Sequence, residues 1–332
     1  MTETDGYRSL SLGEVTDMLG GCNNALILFH VHPDGDSVGS AFALRRMLES
    51  IGKKAWCICA DEVPERLMFA MEKYQASALP EAVPVGFEPD FIVSVDTAAP
   101  SQLGALYETY GGKINLMIDH VLPEVSSCGE VLFDVVTELA KANDIDPMPG
   151  DVNELIYMAV SSDTGCFRYN NVHPSTHMLA AKLIERGVRS ADINHRLFGI
   201  KTLKQMQVEH AGFERMNLYS GGRIAVITFP YDLKKQYGAE DENLETLIDV
   251  ARCVKGVEVA AAIRQPTEEN RFRVSMRSST DFDVSEICAL YGGGGHERAS
   301  GCTLNSDSIL AAEMTIVSAV ENKFATDAGE EE

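Results

Sequence analysis

Aspartate and histidine recur in this chain where apolar runs end or turns begin. The clusters are His30-Val31-His32-Pro33-Asp34-Gly35-Asp36, the isolated Asp96, Asp119-His120 and Asp163-Thr164-Gly165, followed far downstream by Gly292-Gly293-Gly294-Gly295-His296. No cysteine stands at a key position of the first four. Carboxylate oxygens with imidazole, and without thiolate, suit divalent Mn, Mg, Co or Fe better than a structural zinc site. The donors suffice for two ions. The chemistry such a set performs is metal-assisted hydrolysis of a phosphate ester.

The elements that must carry these residues are legible in the apolar pattern. Ala25–Phe29 is a short continuous apolar run, as in a buried parallel strand, and it leads into a turn broken by Pro33 and Gly35. Ser37 is placed to cap a helix in which Val38, Phe42, Met47 and Leu48 recur at roughly helical spacing. Further strands are expected at Ala55–Cys59, at Phe91–Val95, which delivers Asp96, and at Ile114–Ile118, which delivers Asp119 and His120. Helices are expected around Gly129–Ala142 and Val152–Ser162, the second ending at Asp163. Strands alternating with helices predict right-handed crossovers and a mostly parallel sheet. The carboxyl ends of such strands line one edge, so ligands distant in sequence can meet there. Taken singly, Asp34 and Asp36 read as turn formers, Asp96 as a helix cap and Asp163 as an Asx turn. Their joint placement at element ends favours a site.

Downstream, a helix built on Met178, Leu179 and Leu183 closes at Gly187, and Asp192 to Leu218 reads as helical and amphipathic. A second unit starting near Gly222 is expected to hold strands at Arg223–Thr228, Val257–Ile263 and Arg271–Ser278, with helices near Asn243–Val254 and Val284–Tyr291. In Arg271–Ser278, Phe272, Val274 and Met276 alternate with Arg271, Arg273, Ser275 and Arg277. A solvated outer face is the ordinary meaning of such alternation. The glycine run and His296 follow the next helix, however, and a glycine run lets backbone N–H groups approach an anion closely. The organisation predicted is α/β throughout: a parallel-sheet domain over 1–190, a helical connector over 191–220, a smaller α/β domain with a mixed sheet over 221–325, and an acidic tail at 326–332.

Composition narrows the partners. A length of 332 residues with 45% apolar content allows two cores. The start is polar, and no apolar run is long enough to span a membrane. Eight cysteines without a C-x-x-C pair, among them Cys57 and Cys59 on one face of a strand, suggest reduced core thiols in a cytoplasmic protein. The net charge is −22, with 13 Lys and Arg against 27 Asp and Glu in residues 1–190, and 15 against 23 thereafter. No basic stripe is visible for tracking long DNA or RNA, so a nucleic-acid substrate should be short. Most of the acidity needs no explanation beyond solubility.

In combination these motifs resemble those of the DHH phosphoesterases that carry a C-terminal DHHA1 domain. His30 to Ser40 is similar to H-x-x-P-D-x-D-x-x-G-S, Asp96 to the isolated aspartate of the family, and Asp119-His120 to part of D-H-H. Asp163–Phe167 is similar to D-T-G-x-F, Gly293–Gly301 to G-G-G-H-x-x-A-x-G, and Ser275–Ser278 to S-x-R-S. The resemblance covers essentially the whole chain, and length and domain order look most like the bacterial oligoribonuclease/pAp-phosphatase branch.

The resemblance implies two divalent ions, foremost Mn2+, with Mg2+ or Co2+ as alternatives. His30, Asp34 and Asp96 would hold one. Asp36, Asp96, His120 and Asp163 would hold the second, with Asp96 bridging. Asp119 would orient the His120 ring. Asp96, Asp119 and His120 would thus form the catalytic group, and a hydroxide shared by the ions would attack in line. Arg277, Ser278, His296, Arg298 and the backbone of Gly293, Gly294 and Gly295 would hold the nucleotide. His32 is not at a ligand position of the family and reads as a neighbour. The implied substrates are very short oligoribonucleotides, dinucleotides and pAp. Hydrolysis of linear dinucleotides from cyclic-dinucleotide turnover, or regulatory nucleotide binding without catalysis, are the alternatives. No long nucleic acid and no membrane is expected as a partner, and a homodimer is compatible with all of this.

One motif departs from the family. Val121 stands where a second histidine is expected, and the usual loop is missing, because Leu122-Pro123-Glu124 leads almost at once to Ser126–Glu130. The match resumes cleanly on both sides. We favour a segment missing from the sequence between His120 and Val121 over a true deletion, although the residues from Val121 to Ser127 suffice to join a strand to a helix. The mass of the tryptic peptide running from Ile114 to Lys141 decides between them.

Overall fold

Runs such as Ala25–Leu28 and Phe91–Val95 are apolar at successive positions, so a sheet made of them must be covered on both faces. The structure, a computed structural model, describes residues 8–120 and 124–330. It divides into two compact units, Met1–Ile200 and Lys201–Glu332.

The first unit runs α1 (Leu12–Gly21), β1 (Asn24–Leu28), α2 (Gly35–Ser50), β2 (Lys54–Ile58), α3 (Met68–Met71), β3 (Phe91–Val95), α4 (Leu106–Tyr110), β4 (Leu116–Ile118), α5 (Cys128–Ala142), α6 (Gly150–Asp163), α7 (Pro174–Glu185) and α8 (Ser190–Asn194). Its strands are all parallel, in the order β2-β1-β3-β4. One face is buried by a large core that includes Ile27, Phe42, Leu132 and Ile156, and the other by Leu26, Leu28, Ile58, Ile92, Leu103 and Leu106. The chain leaves β1 towards β2 on one side and returns to β3 on the other. The gap past the ends of β1 and β3 is therefore the topological switch point, where open α/β sheets form their sites.

Two local devices bring α2 to this edge. Asp34 caps it: its Oδ1 accepts from the backbone N–H of Asp36 and of Ser37, both at 3.0 Å, while the Ser37 hydroxyl accepts from Asp34 N at 3.0 Å. The glycines on its inner side then admit α6. A Cβ on Gly35 would collide with the Ser162 side chain, and one on Gly39 would lie 2.6 Å from the Leu155 carbonyl. This close packing seats Asp163, the last residue of α6, beside the start of α2.

The second unit runs α9 (Leu203–Glu214), β5 (Met216–Tyr219), β6 (Ile224–Phe229), α10 (Tyr231–Tyr237), α11 (Leu247–Arg252), β7 (Val259–Arg264), β8 (Arg271–Ser278), α12 (Val284–Ala289), β9 (Gly294–His296), β10 (Ala299–Asn305) and α13 (Ile309–Glu330). Its mixed sheet has the order β5-β6-β7-β8-β10-β9, parallel only between β6 and β7. Val208, Ala211, Leu247 and Ala251 from α9 and α11 bury part of one face, and Ile287, Ile316, Val317 and Val320 from α12 and α13 bury the other.

Several details differ from the sequence expectations. Met216–Tyr219 is an edge strand, not the end of a helix, because Asn217 and Leu218 pair with Val226 and Ala225 of β6. The residues from 326 to 330 are helical, continuing α13. The glycine run is partly strand: Gly294–His296 pairs antiparallel with Ala299–Gly301. Among the described residues no helix is long and apolar enough to cross a membrane.

Candidate metal centre

Adjacent parallel strands deliver the central contacts. His30 follows β1 and Asp96 follows β3, and His30 Nε2 lies 3.2 Å from Asp96 Oδ2 and 3.6 Å from Asp34 Oδ1. His120 follows β4, and its Nε2 lies 3.6 Å from Asp96 Oδ1. The backbone N–H of Asp96 donates to the Ile118 carbonyl at 2.9 Å, which locks the ends of β3 and β4 together. Two groups of donor atoms result, each with all its atoms within 4.8 Å of one another: His30, Asp34 and Asp96, and Asp36, Asp96 and His120. Asp96 belongs to both. It sits in the left-handed region at φ 54°, strained backbone for a residue other than glycine and common where a functional side chain must be aimed.

The hydrogen bonds around the donors orient them. His30 Nδ1 lies 2.7 Å from the Val31 carbonyl, an acceptor that requires the proton on Nδ1 and leaves the Nε2 lone pair for the centre. Asp36 is 1% exposed, and its carboxylate accepts from Cys128 N at 2.7 Å, Gly129 N at 2.9 Å and the Ser40 hydroxyl at 3.0 Å. It is held by the N-terminal amides of α5, which favour negative charge. Gly129 also lets α5 pack closely on α6, since a Cβ there would lie 2.5 Å from the Ala159 Cβ.

Without ions the cluster is electrostatically frustrated. Burial, with repulsion from Asp96, Asp163 and Asp34, raises the Asp36 carboxyl well above the usual carboxylate range. Burial also raises Asp96, and burial with repulsion from Asp34 pushes Asp163 up to about 7. Burial disfavours charge on His30, but hydrogen bonds to Asp34 and Asp96 outweigh it and hold the imidazolium up to about 12. Asp34, the more exposed partner, is held below its ordinary value by that same His30, against the cost of burial. Carboxylates that must share protons and an imidazole are a donor set divalent cations relieve. The residues fit the two ions that the resemblance implies.

Not every expected role has its geometry. Asp163 lies outside both tight groups, and its Oδ2 accepts from Asn171 Nδ2 at 3.3 Å. Asp119 does not grip the His120 ring: its Oδ1 accepts from the His120 backbone N–H at 2.7 Å, and its Oδ2 is buried without a partner among the described residues. The influence of Asp119 on His120 therefore runs through the main chain. Val121 lies outside the described residues. His32 is an exposed neighbour, with Nδ1 3.1 Å from Asp61 Oδ2.

The residues expected to hold a nucleotide lie in the second unit. Arg277 pairs with Ala299, and Ala299 with His296, so β8, β10 and β9 present Arg277 and His296 on one face. Gly293 and Gly295 are needed for packing: a Cβ on Gly293 would overlap the Gly301 carbonyl, and one on Gly295, at φ 143°, would lie 2.5 Å from the Ala299 carbonyl. Ser278 is buried, its hydroxyl donating to the Thr280 carbonyl at 3.0 Å, so it shapes a turn and does not present itself on the Arg277 face. Arg298 pairs with Asp281. Arg264 of β7, directly opposite Arg273, also joins this face, and its Nη2 donates to Ser275 Oγ at 2.9 Å. Neither Arg264 nor Asn171 was singled out by the sequence, because each stands outside the recognisable motifs, and Ser40, although it closes the first motif, was given no role there. Only strand pairing or helix packing reveals them.

Fold and site together define a two-domain protein of the DHH family. The DHH family N-terminal domain matches residues 24–160 and the DHHA1 domain matches residues 221–326, and the chain belongs to this family. It is 27% identical over 310 residues to the bifunctional oligoribonuclease and PAP phosphatase NrnA of Thermus thermophilus, covering 90% of this chain and 89% of that protein. It is 25% identical to the protein of the same name from Bacillus subtilis, covering 86% of this chain and 92% of the other. In fold it matches an exopolyphosphatase-related protein from Bacteroides fragilis at a TM-score of 0.83, with 22% identity over 94% of this chain and 95% of that one.

Proposed function

We propose that this chain is a two-metal phosphoesterase that cleaves very short RNA and dinucleotides and dephosphorylates pAp. The carrying observation is the pair of donor groups that share Asp96. The names of the bacterial relatives, oligoribonuclease and PAP phosphatase, supply the substrate class. Mn2+ is the ion we assign, on the mixed imidazole and carboxylate donor set.

His30, Asp34 and Asp96 would hold one ion, and Asp36, Asp96, His120 and Asp163 the other. When bound, such ions lower the pKa of a water and neutralise charge on the phosphoryl oxygens. The protein's own part is placement. The Val31 carbonyl keeps the His30 proton on Nδ1, and the α5 amides aim the Asp36 carboxylate. Asp96 fixes the spacing between the two groups. Water attacks phosphorus in line, the bond to the leaving sugar oxygen breaks, and that oxygen takes up a proton. Arg277 and His296 would hold substrate phosphate through charge-assisted hydrogen bonds, whereas the buried Ser278 has no such part in our reading.

The test is Mn2+-supplemented turnover of pAp and of a dinucleotide in parallel, with an RNA ladder up to about twenty nucleotides, on which acidic flanks should slow cleavage. Turnover of both small substrates, falling with length, supports the proposal. No turnover of either with any divalent ion would overturn it in favour of a nucleotide-binding module.

A further inference from the structure

The last residue of α6 and the segment entering α5 are tied together by one side chain that the motifs do not contain. Asn171 Nδ2 donates to the Ser126 carbonyl at 3.0 Å, to the Asp163 carbonyl at 3.2 Å and to Asp163 Oδ2 at 3.3 Å. Three acceptors around one nitrogen identify it as the amide NH2, which puts Oδ1 on the other side. That Oδ1 is buried and has no partner among the described residues. The chain returns to Asp163 through a tight left-handed turn, with Gly165, Cys166 and Phe167 at φ 54°, 60° and 60°. It is secured by Phe167 N donating to Thr164 Oγ1 at 3.1 Å and Cys166 N to the Ser161 carbonyl at 2.8 Å.

The turn that Asn171 grips is the one that holds Asp36. Ser126 is itself fastened, its N–H and hydroxyl donating to Glu130 Oε2 at 3.0 and 2.6 Å, and Cys128 and Gly129 just beyond it donate to the Asp36 carboxylate. Asp36 and Asp163 repel one another and are drawn from different helices. With no link between α5 and Asp163, that repulsion would swing the Asp163 carboxylate away.

We propose that Asn171 is a positioning residue for the second ion, setting Asp163 at the correct distance from Asp36. Its effect is confined to the Asp36, Asp96, His120 and Asp163 side and leaves the His30, Asp34 and Asp96 side intact. This rests on the two-metal reading above.

The experiment is Mn2+ titration of the metal-free full chain, followed by calorimetry and electron paramagnetic resonance, for the wild type, Asn171→Ala and Asn171→Asp. The wild type should take up two ions and show the signal of a spin-coupled pair. Both variants should keep the first ion and lose affinity for the second by about 10–100-fold, as removal of a ligand's hydrogen-bond partner usually does. Their spectrum should become that of an isolated Mn2+ ion, with the melting temperature of the metal-free protein within a few degrees of wild type. Asn171→Asp keeps the shape without the donor, so it separates lost donation from lost packing. Wild-type affinity for the second ion in either variant overturns the assignment, and so does equal weakening of both ions with a marked loss of metal-free stability, which would mean a general structural role. A wild type that binds no second ion would instead sink the two-metal reading itself.

Discussion

His30 Nε2 and Asp96 Oδ2 meet at 3.2 Å because β1 and β3, far apart in sequence, are neighbours at the sheet's switch point. Asp96 then reaches His120 with its other oxygen, so one carboxylate spans the centre.

Asp96→Ala should therefore remove turnover altogether. Both donor groups lose their shared member, and metal content should fall for both ions together, down by about 100-fold or more in affinity. Near-normal activity with Mn2+ in this variant would rule out the bridging arrangement.

Arg277→Ala should act on substrate and not on metal. We expect KM for a dinucleotide to rise about tenfold, about 1.4 kcal/mol, with Mn2+ stoichiometry unchanged. A fall in metal content with an unaltered KM would remove Arg277 from the phosphate contact.

Metal affinity should increase with pH. The metal-free His30 holds its second proton up to about 12 and Asp163 titrates at about 7, so ions must displace protons to bind. The sign for Asp163 follows from its raised value: folding is penalised above the ordinary carboxylate range, increasingly as pH rises through about 7. His30 runs in the same direction: its stabilising contribution is fully present below its ordinary value and is lost progressively as pH rises from there towards about 12. The gain in melting temperature on adding Mn2+ should thus widen from about pH 6 to about pH 8, with proton release seen in buffers of different ionisation enthalpy. A gain that shrinks over this interval contradicts the electrostatic account.

Gly39→Ala should destabilise the first unit by about 1–3 kcal/mol in urea unfolding, because the new methyl meets the Leu155 carbonyl and the Ala159 backbone N, neither of which can rotate away. Gly112, by contrast, has nothing within 4 Å of a built Cβ, so Gly112→Ala should be close to neutral. Equal effects from the two would mean that the approach of α2 to α6 is not tight.

Much of this was legible along the chain. Buried parallel strands announce themselves by unbroken apolar runs, and a strand that runs out into Asp or His announces a ligand, so His30, Asp96 and His120 were visible as candidates, with Asp36 in the turn that follows the first strand, as was the alternation that puts Arg277 on the face opposite the apolar residues. The motifs added the pairing of these residues that the resemblance implies, which periodicity alone does not supply. What the sequence could not contain was anything carried by contacts between elements. Met216–Tyr219 has helical spacing and becomes a strand only because β6 offers it a ladder. The Gly293–His296 segment resembles a loop, yet Gly294–His296 is strand because β10 pairs with it. Asp119 has the residue type to orient a ring, yet its carboxylate turns to the adjacent backbone N–H. Asn171 carries no motif at all, and its role exists only where the end of α6 and the start of α5 come within hydrogen-bond reach. Local pattern determines what each segment can be. Packing decides which hydrogen bonds and charges are left to face one another, and a centre made of repelling carboxylates is built from those.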